Sequence, residues 1–440
     1  MTDDALKNPL RASAAQAFRS RDFRLYQTAR LCGIIGAEAQ SLAVAWLVYQ
    51  LTHSALMLGY TGLALFLPGL FFVLPAGHVA DRYDRRRIIL ACYSLQCISS
   101  ALLFYFAYYG TRHIASIYCV LFLIGISRAF SGPASSALVP QLVPKEHFVN
   151  AVTWGATTFQ IANVIGPALG GILFTLPLSG RLAHLRGAPV VFLFTVVCML
   201  SFITLIAALR VRPGVADSRN LSMNTVLAGL RYVWSARLLL GSLSLDLFAV
   251  LLGGAVSLMP IFASEILHCG PGGLGLLRAM PSVGALTVAL TLAFNPIRRK
   301  AGVKLLTCVG VFGAATITFG LARSLPLALL ALFVVGASDM ISVVIRASLL
   351  QLATPPEMRG RVSAVNWIFL GASNEFGEYE SGLTAHWWGA VRAVVIGGVG
   401  SLAVTGVWSV LFPQLRRADK LTAESLLAAA ANETTQEPVD

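Results

Sequence analysis

Apolar residues fall into twelve long runs divided by short polar breaks: 24–51, 55–80, 87–109, 113–138, 148–174, 189–210, 238–266, 272–296, 303–323, 325–350, 362–386 and 391–412. A helix needs about 20 apolar residues to cross a hydrocarbon core of about 30 Å, and each run is about that long or longer. The pattern predicts an all-α membrane protein with twelve transmembrane helices. Residues 1–23 are polar and basic with no apolar core of the signal-peptide kind, so insertion is expected to rest on the helices themselves. Between runs six and seven, Val226, Leu230, Val233 and Trp234 oppose Arg231 and Arg237, which predicts an interfacial helix at 224–237.

Composition agrees. Apolar residues make up 56% and charged residues 12%, with a mean hydropathy of +0.74, whereas soluble domains carry about 25% charge. Of the 33 Lys and Arg, 24 lie in the N-terminus, the even-to-odd loops and the C-terminal tail. Only Arg112, Arg181, Arg186, Arg323 and Arg392 lie in or beside the opposite loops. The positive-inside rule therefore predicts that both termini are cytoplasmic. The formal charge of +13 is mostly this excess, and its scatter over many loops argues against nucleic-acid binding. Seven cysteines, mostly mid-helix, show no Cys-x-x-Cys spacing and read as small packing residues, with no disulfide or metal framework. No His-Glu-x-x-His, Gly-x-Ser-x-Gly or Walker A sequence occurs, so neither an enzyme nor an ATP-driven pump is expected, and no cofactor.

The chain repeats itself at an offset of about 211–213 residues, read from the alignment of the following segments. Ser127-Arg128 answers Ser338-Asp339, and Arg85-Arg86-Arg87 answers Arg298-Arg299-Lys300. Pro144-Lys-Glu146 with Ala151-Val152-x-Trp154 answers Pro355-Pro-Glu357 with Ala364-Val365-x-Trp367. Two pseudo-symmetric six-helix bundles are expected, at 24–210 and 238–412. A cytoplasmic N-terminus (1–23), a linker with the interfacial helix (211–237) and a cytoplasmic tail (413–440) complete the chain. Parallel repeats of this kind place a binding site at their interface.

A charge at bilayer depth costs about 2.5–3.5 kcal/mol on the insertion scale and marks a functional candidate. Glu38 lies in helix 1, Arg128 in helix 4, Asp246 in helix 7 and Asp339 in helix 10. Helix 8 carries Arg278, helix 11 carries Glu375, Glu378 and Glu380, and helices 3, 6, 9 and 12 are uncharged inside. First helices lining a cavity and third helices facing lipid would give this pattern. Arg30 and Arg346 lie near cytoplasmic ends and can snorkel, and Glu265 is expected to be wetted at the outer end of helix 7. Arg128 and Asp339 could pair across the cavity. Glu375 and Glu378, three residues apart, share a face and suit proton or cation coupling, or they accept hydrogen bonds from neighbouring helices. The aromatics Trp46, Phe66 and Phe248 suit an amphipathic solute.

Gly77-x-x-x-Asp81-Arg82-x-Asp84-Arg85-Arg86 resembles the loop between helices 2 and 3 of the major facilitator superfamily, with Asp84 where the usual pattern has Gly. The resemblance implies a cytoplasmic gate formed by Gly77, Asp81, Arg82, Arg85 and Arg86 against helix 11, with Asp84 altering its strength. Gly166-Pro167-x-x-Gly170-Gly171 resembles the core of the helix-5 motif of proton-exchanging exporters, although Thr153 and Ala162 replace its upstream glycines. Over its whole length the chain is similar to bacterial facilitators of the enterobactin-exporter type. That implies a proton-coupled exporter of a drug, siderophore or metabolite in the bacterial inner membrane, with an importer or lipid flippase as the competing reading. A non-transporting sensor or a membrane-embedded enzyme is the alternative from another class. Substrate or proton coupling would fall to Glu38, Arg128, Asp246, Asp339, Glu375 and Glu378. The expected partners are a small-molecule substrate, protons and the lipid bilayer, with no nucleic acid and no metal, in a monomer.

Overall fold

The computed structural model describes residues 16–110, 113–177, 185–210, 223–295, 297, 299–355 and 358–417. The polar linker at 213–220, the tail beyond 417, Arg112, Arg181 and Arg298 lie outside them. All regular structure among the described residues is helical. The main helices are α1 (Arg21–Thr52), α2 (Ala55–Arg82), α3 (Arg85–Tyr109), α4 (Ile114–Leu142), α5 (Phe148–Thr175) and α6 (Ala188–Ala207). Then come α7 (Arg237–Gly253), α8 (Gly270–Phe294), α9 (Ala301–Leu321), α10 (Leu325–Ala353), α11 (Arg359–Trp388) and α12 (Ala390–Leu411). A short amphipathic helix, Met223–Ser235, where the interfacial helix is expected, precedes α7. Among the described residues, eleven spans are long and apolar enough to cross a membrane. The twelfth is α11, whose glutamates lower its hydropathy but whose 30 residues reach about 45 Å.

One helix departs from its apolar run. The stretch 238–266 is not a single helix. It breaks after Gly253, continues through a short turn at Val256–Leu258, and ends in a π-helical turn at Phe262–Ile266. Gly254 lies against the backbone of Gly377 in α11, where a Cβ would come within 3.3 Å of its carbonyl carbon. The Ser381 hydroxyl donates to the Gly254 carbonyl. A backbone acceptor freed inside a membrane protein needs such a partner, and α11 supplies it.

Contacts divide the chain into two compact units. The first takes α1 as far as Leu47 and resumes at Leu67, just before the in-helix Pro68, running on through α6. The second takes Val48–Phe66 and everything from the interfacial helix onward. In the first unit α3 packs on α4 and α6; in the second, α9 packs on α10 and α12. The same pairings six helices apart are what a duplicated bundle shows. Phe23, Tyr26, Ile89, Leu138, Phe202 and Ile206 centre the first core. Leu239, Leu245, Leu305, Ile345 and Leu349 centre the second.

The interfacial helix is held down from both sides. Val233 is buried with Leu243, Leu350, Val362 and Val365, while Trp234 stays exposed. A Cβ on Gly229 would lie 2.7 Å from the Arg361 carbonyl oxygen, so glycine lets this helix lie directly on α11.

Candidate functional site

In the second unit, Arg346 of α10 and Asp246 of α7 form an ion pair at 2.8 Å, with both side chains only 7% exposed. The Arg346 Nε also donates to Ser342 Oγ, one turn back, at 3.3 Å. Asp339, two turns back along α10 and half-buried, feels the same guanidinium, and its charge acts on Asp246 in turn. This corrects the snorkelling expected of Arg346. Its head group turns inward because a buried carboxylate on α7 offers a stronger partner than the membrane surface. A second carboxyl, Asp339, thus lies along α10 from a buried pair that holds a single guanidinium.

Helix α11 brings its acids into the same unit. Glu375, Glu378 and Glu380 are all half-buried. Helix α2 approaches through Gly59 and Gly62: a Cβ on Gly62 would meet Glu378 Oε2 at 2.7 Å, and one on Gly382 would meet Gly59 at 2.8 Å. Glycine at these places is what lets α2 lie over the Glu378 side chain. Tyr60 and Tyr379 pair beside this seam, and Phe66 meets Phe376 edge-on. Glu265 is wetted, as expected. It is exposed, yet it accepts a hydrogen bond from the Tyr49 hydroxyl at the end of α1.

In the first unit, Glu38 is half-buried against α5. A Cβ at Gly166 would lie 2.5 Å from Glu38 Cβ, and one at Gly170 would lie 2.9 Å from Ala39 Cα. The glycines of the helix-5 motif therefore seat α1 against α5 at the level of its one mid-helix acid, with Pro167 between them. Gly171 follows, buried. Arg128, at the midpoint of α4, is exposed. Next to it, Ser127 donates to the Cys92 carbonyl and accepts from Gln96 Nε2 at 2.9 Å. Ser100 donates to Gln40 Oε1 at 2.6 Å. Gln40, Gln96, Ser100 and Ser127 are a buried polar set that reading for charge alone misses. A glutamine in the middle of an apolar run is the signal that could have found it.

The basic loop acts within its own unit. Asp84 caps α3, its Oδ1 accepting from the Arg86 amide at 2.9 Å, and it meets Arg87 at 3.8 Å on the surface. Its place in the loop is explained by this cap. Arg86 donates through Nε to the Ile206 carbonyl at 3.1 Å and through Nη2 to the Ala207 carbonyl, holding the last turn of α6. Arg85 reaches the Ala137 carbonyl of α4 at 3.4 Å. Cations suit helix C-termini, where unpaired carbonyls gather. Gly77 is buried and Arg82 exposed, while the side chain of Asp81 lies outside the described residues.

The three aromatics singled out in the sequence each have a separate partner. Trp46 packs on Phe174, Phe66 on Phe376 and Phe248 on Trp408. Among the described residues no His, Cys, Asp and Glu cluster suits a metal ion.

Residues 12–437 match the family model described as transmembrane secretion effector. The enterobactin exporter of Citrobacter koseri is 27% identical over 387 residues, covering 86% of this chain and 85% of that protein. The enterobactin exporter of Escherichia coli O1:K1 is 26% identical over the same span. Among solved structures, a bacterial homologue of the human lysosomal transporter Spinster superposes with a TM-score of 0.70 at 14% identity, over 93% of this chain and 97% of that one. A peptide-bound transporter of the POT family gives 0.68 at 13% identity, over 90% and 96%. At such identities the structures speak for the fold, and the family match speaks for kinship. Twelve helices in two related bundles, acids and arginines at mid-depth, and a family match over nearly the whole length lead to one conclusion: the chain belongs to the transmembrane secretion effector family of the major facilitator superfamily, a multi-pass membrane transporter of small molecules and not an enzyme.

Proposed function

We propose that this transporter is a proton-coupled exporter of small amphipathic molecules, siderophores among them, working by alternating access in the bacterial inner membrane. The observation that carries the reading is the buried Asp246–Arg346 ion pair, with a second carboxyl, Asp339, two turns back along α10. A net negative interior site is neutralised by a proton, and loading or unloading that proton changes the balance between conformations. Glu38, Glu375 and Glu378 are the other candidates for the exchanging carboxylate, and Arg128 supplies a cation to the solute or to an acid. Export, rather than import or lipid flipping, draws on the relatives named as enterobactin exporters. The working unit is a monomer of two six-helix halves, 24–210 and 238–412, with both termini cytoplasmic. Gly77, Asp81, Arg82, Arg85 and Arg86 form the cytoplasmic gate.

The test is uptake of candidate siderophores and amphipathic dyes into everted vesicles under an imposed pH gradient, with and without a protonophore. Glu38→Gln, Glu375→Gln, Glu378→Gln and Asp339→Asn are run in parallel. At least one variant should lose accumulation against a gradient while keeping substrate binding. If wild-type transport ignores the gradient, or all four variants pump at full rate, the coupling reading fails.

A further inference from the structure

A cavity of about 730 Å³ opens in the second unit where odd-numbered helices hand over to even ones. Tyr49 comes from the last turn of α1, His53 from the α1–α2 turn, Glu265 from the π-helical turn that follows α7, Arg323 from the α9–α10 turn, and His386 and Arg392 from either side of the α11–α12 turn. In the orientation proposed above, these turns face away from the cytoplasm. The charges do not cancel. Two arginines and one glutamate line it, and that carboxylate already accepts from the Tyr49 hydroxyl. Neither Arg323 nor Arg392 forms an ion pair with any acid among the described residues.

The placement runs against topology. Membrane insertion selects against arginine at the non-cytoplasmic end. Of the five arginines there, three are described, and two of those three converge on this one cavity. Trp388 adds an aromatic wall beside them. Forked guanidinium donors, two imidazoles and an indole suit an acidic head on an amphipathic body.

We infer that this cavity is an anion-binding site, taking the carboxylate or phosphate group of an amphipathic molecule. The inference rests on the orientation proposed above, which makes the cavity face outward. Its occupant comes from one of two sources: the transported solute on its way out, or the head group of an outer-leaflet lipid.

The full chain in phosphatidylcholine nanodiscs is titrated calorimetrically with benzoate and with glycerol 3-phosphate, without any gradient. Wild type should bind both, more weakly as salt rises from low to high. Arg323→Gln/Arg392→Gln should weaken binding about tenfold or more, while Arg323→Lys/Arg392→Lys keeps most of it, which separates lost charge from lost folding. Glu265→Gln, which removes the cavity's acid, should tighten binding. Arg416→Gln/Arg417→Gln removes the same charge from the other end and should change nothing. Repeating the titration in discs containing phosphatidylglycerol separates the sources: competition identifies the lipid head group as occupant, and unchanged affinity identifies the solute. No binding to wild type in phosphatidylcholine discs, or equal binding by the double glutamine variant, overturns the site. A protein that binds these anions but does not pump refutes the exporter reading and leaves the site standing.

Discussion

Removing either member of the Asp246–Arg346 pair should destabilise the protein, but not equally. Arg346→Met leaves Asp246 and Asp339 as two acids without a cation, whereas Asp246→Asn leaves Arg346 still facing Asp339. Unit charges about 4 Å apart attract by about 4 kcal/mol at an effective dielectric of about 20, in line with the roughly 3–5 kcal/mol lost on breaking a buried pair. Arg346→Met should therefore cost about 3–5 kcal/mol, reduced where an acid takes a proton instead. Asp246→Asn should cost about 1–3 kcal/mol, because Asp339 retains part of the guanidinium's interaction. The double variant should recover part of the sum, with a coupling of about 0.5–3 kcal/mol. Unfolding in SDS-containing mixed micelles measures all four proteins on one scale. Strict additivity, or an Asp246→Asn loss as large as that of Arg346→Met, would refute the shared-guanidinium arrangement.

Gly166→Val should lower stability by about 1–3 kcal/mol and impair transport, because its side chain enters the space held by Glu38 Cβ; paired unfolding and vesicle assays check it. Arg86→Gln should cost about 1.5–3 kcal/mol through lost bonds to the α6 carbonyls, and amide exchange should rise at the last turn of α6. Asp84→Ala should cost about 1 kcal/mol by removing the α3 cap, whereas Asp84→Gly, which restores the usual residue of the loop pattern, should cost only a few tenths; a cost for glycine equal to that for alanine would contradict the cap.

Hydropathy alone places helix ends to within a few residues, since a membrane span is fixed by bilayer thickness and polar turns punctuate it. It cannot see what depends on a neighbour. The break in α7 lies in Gly253-Gly254-Ala255, apolar enough to read as continuous helix, and its carbonyl is satisfied by Ser381, more than a hundred residues away. Arg346 reads as a snorkelling residue until α7 docks beside α10. Glu265 reads as merely wet until the Tyr49 hydroxyl reaches it. Asp84 looks like a departure from a motif until the α3 amides are counted. The glycines of α5 were legible as packing residues, but their partner, Glu38, becomes visible only once α1 lies against them.

The interruption of α7 has a mechanical consequence. A continuous helix transmits bending along its length, whereas a helix interrupted at Gly254 has two pieces anchored by separate contacts. The Arg237–Gly253 piece is tied to α12, the Ser401 hydroxyl donating to the Ala249 carbonyl. Beyond the cut, Phe262 is stacked on Phe319 of α9. No single hydrogen-bond ladder runs through the joint, so a change of tilt at the end bearing Glu265 need not bend the helix that carries Asp246.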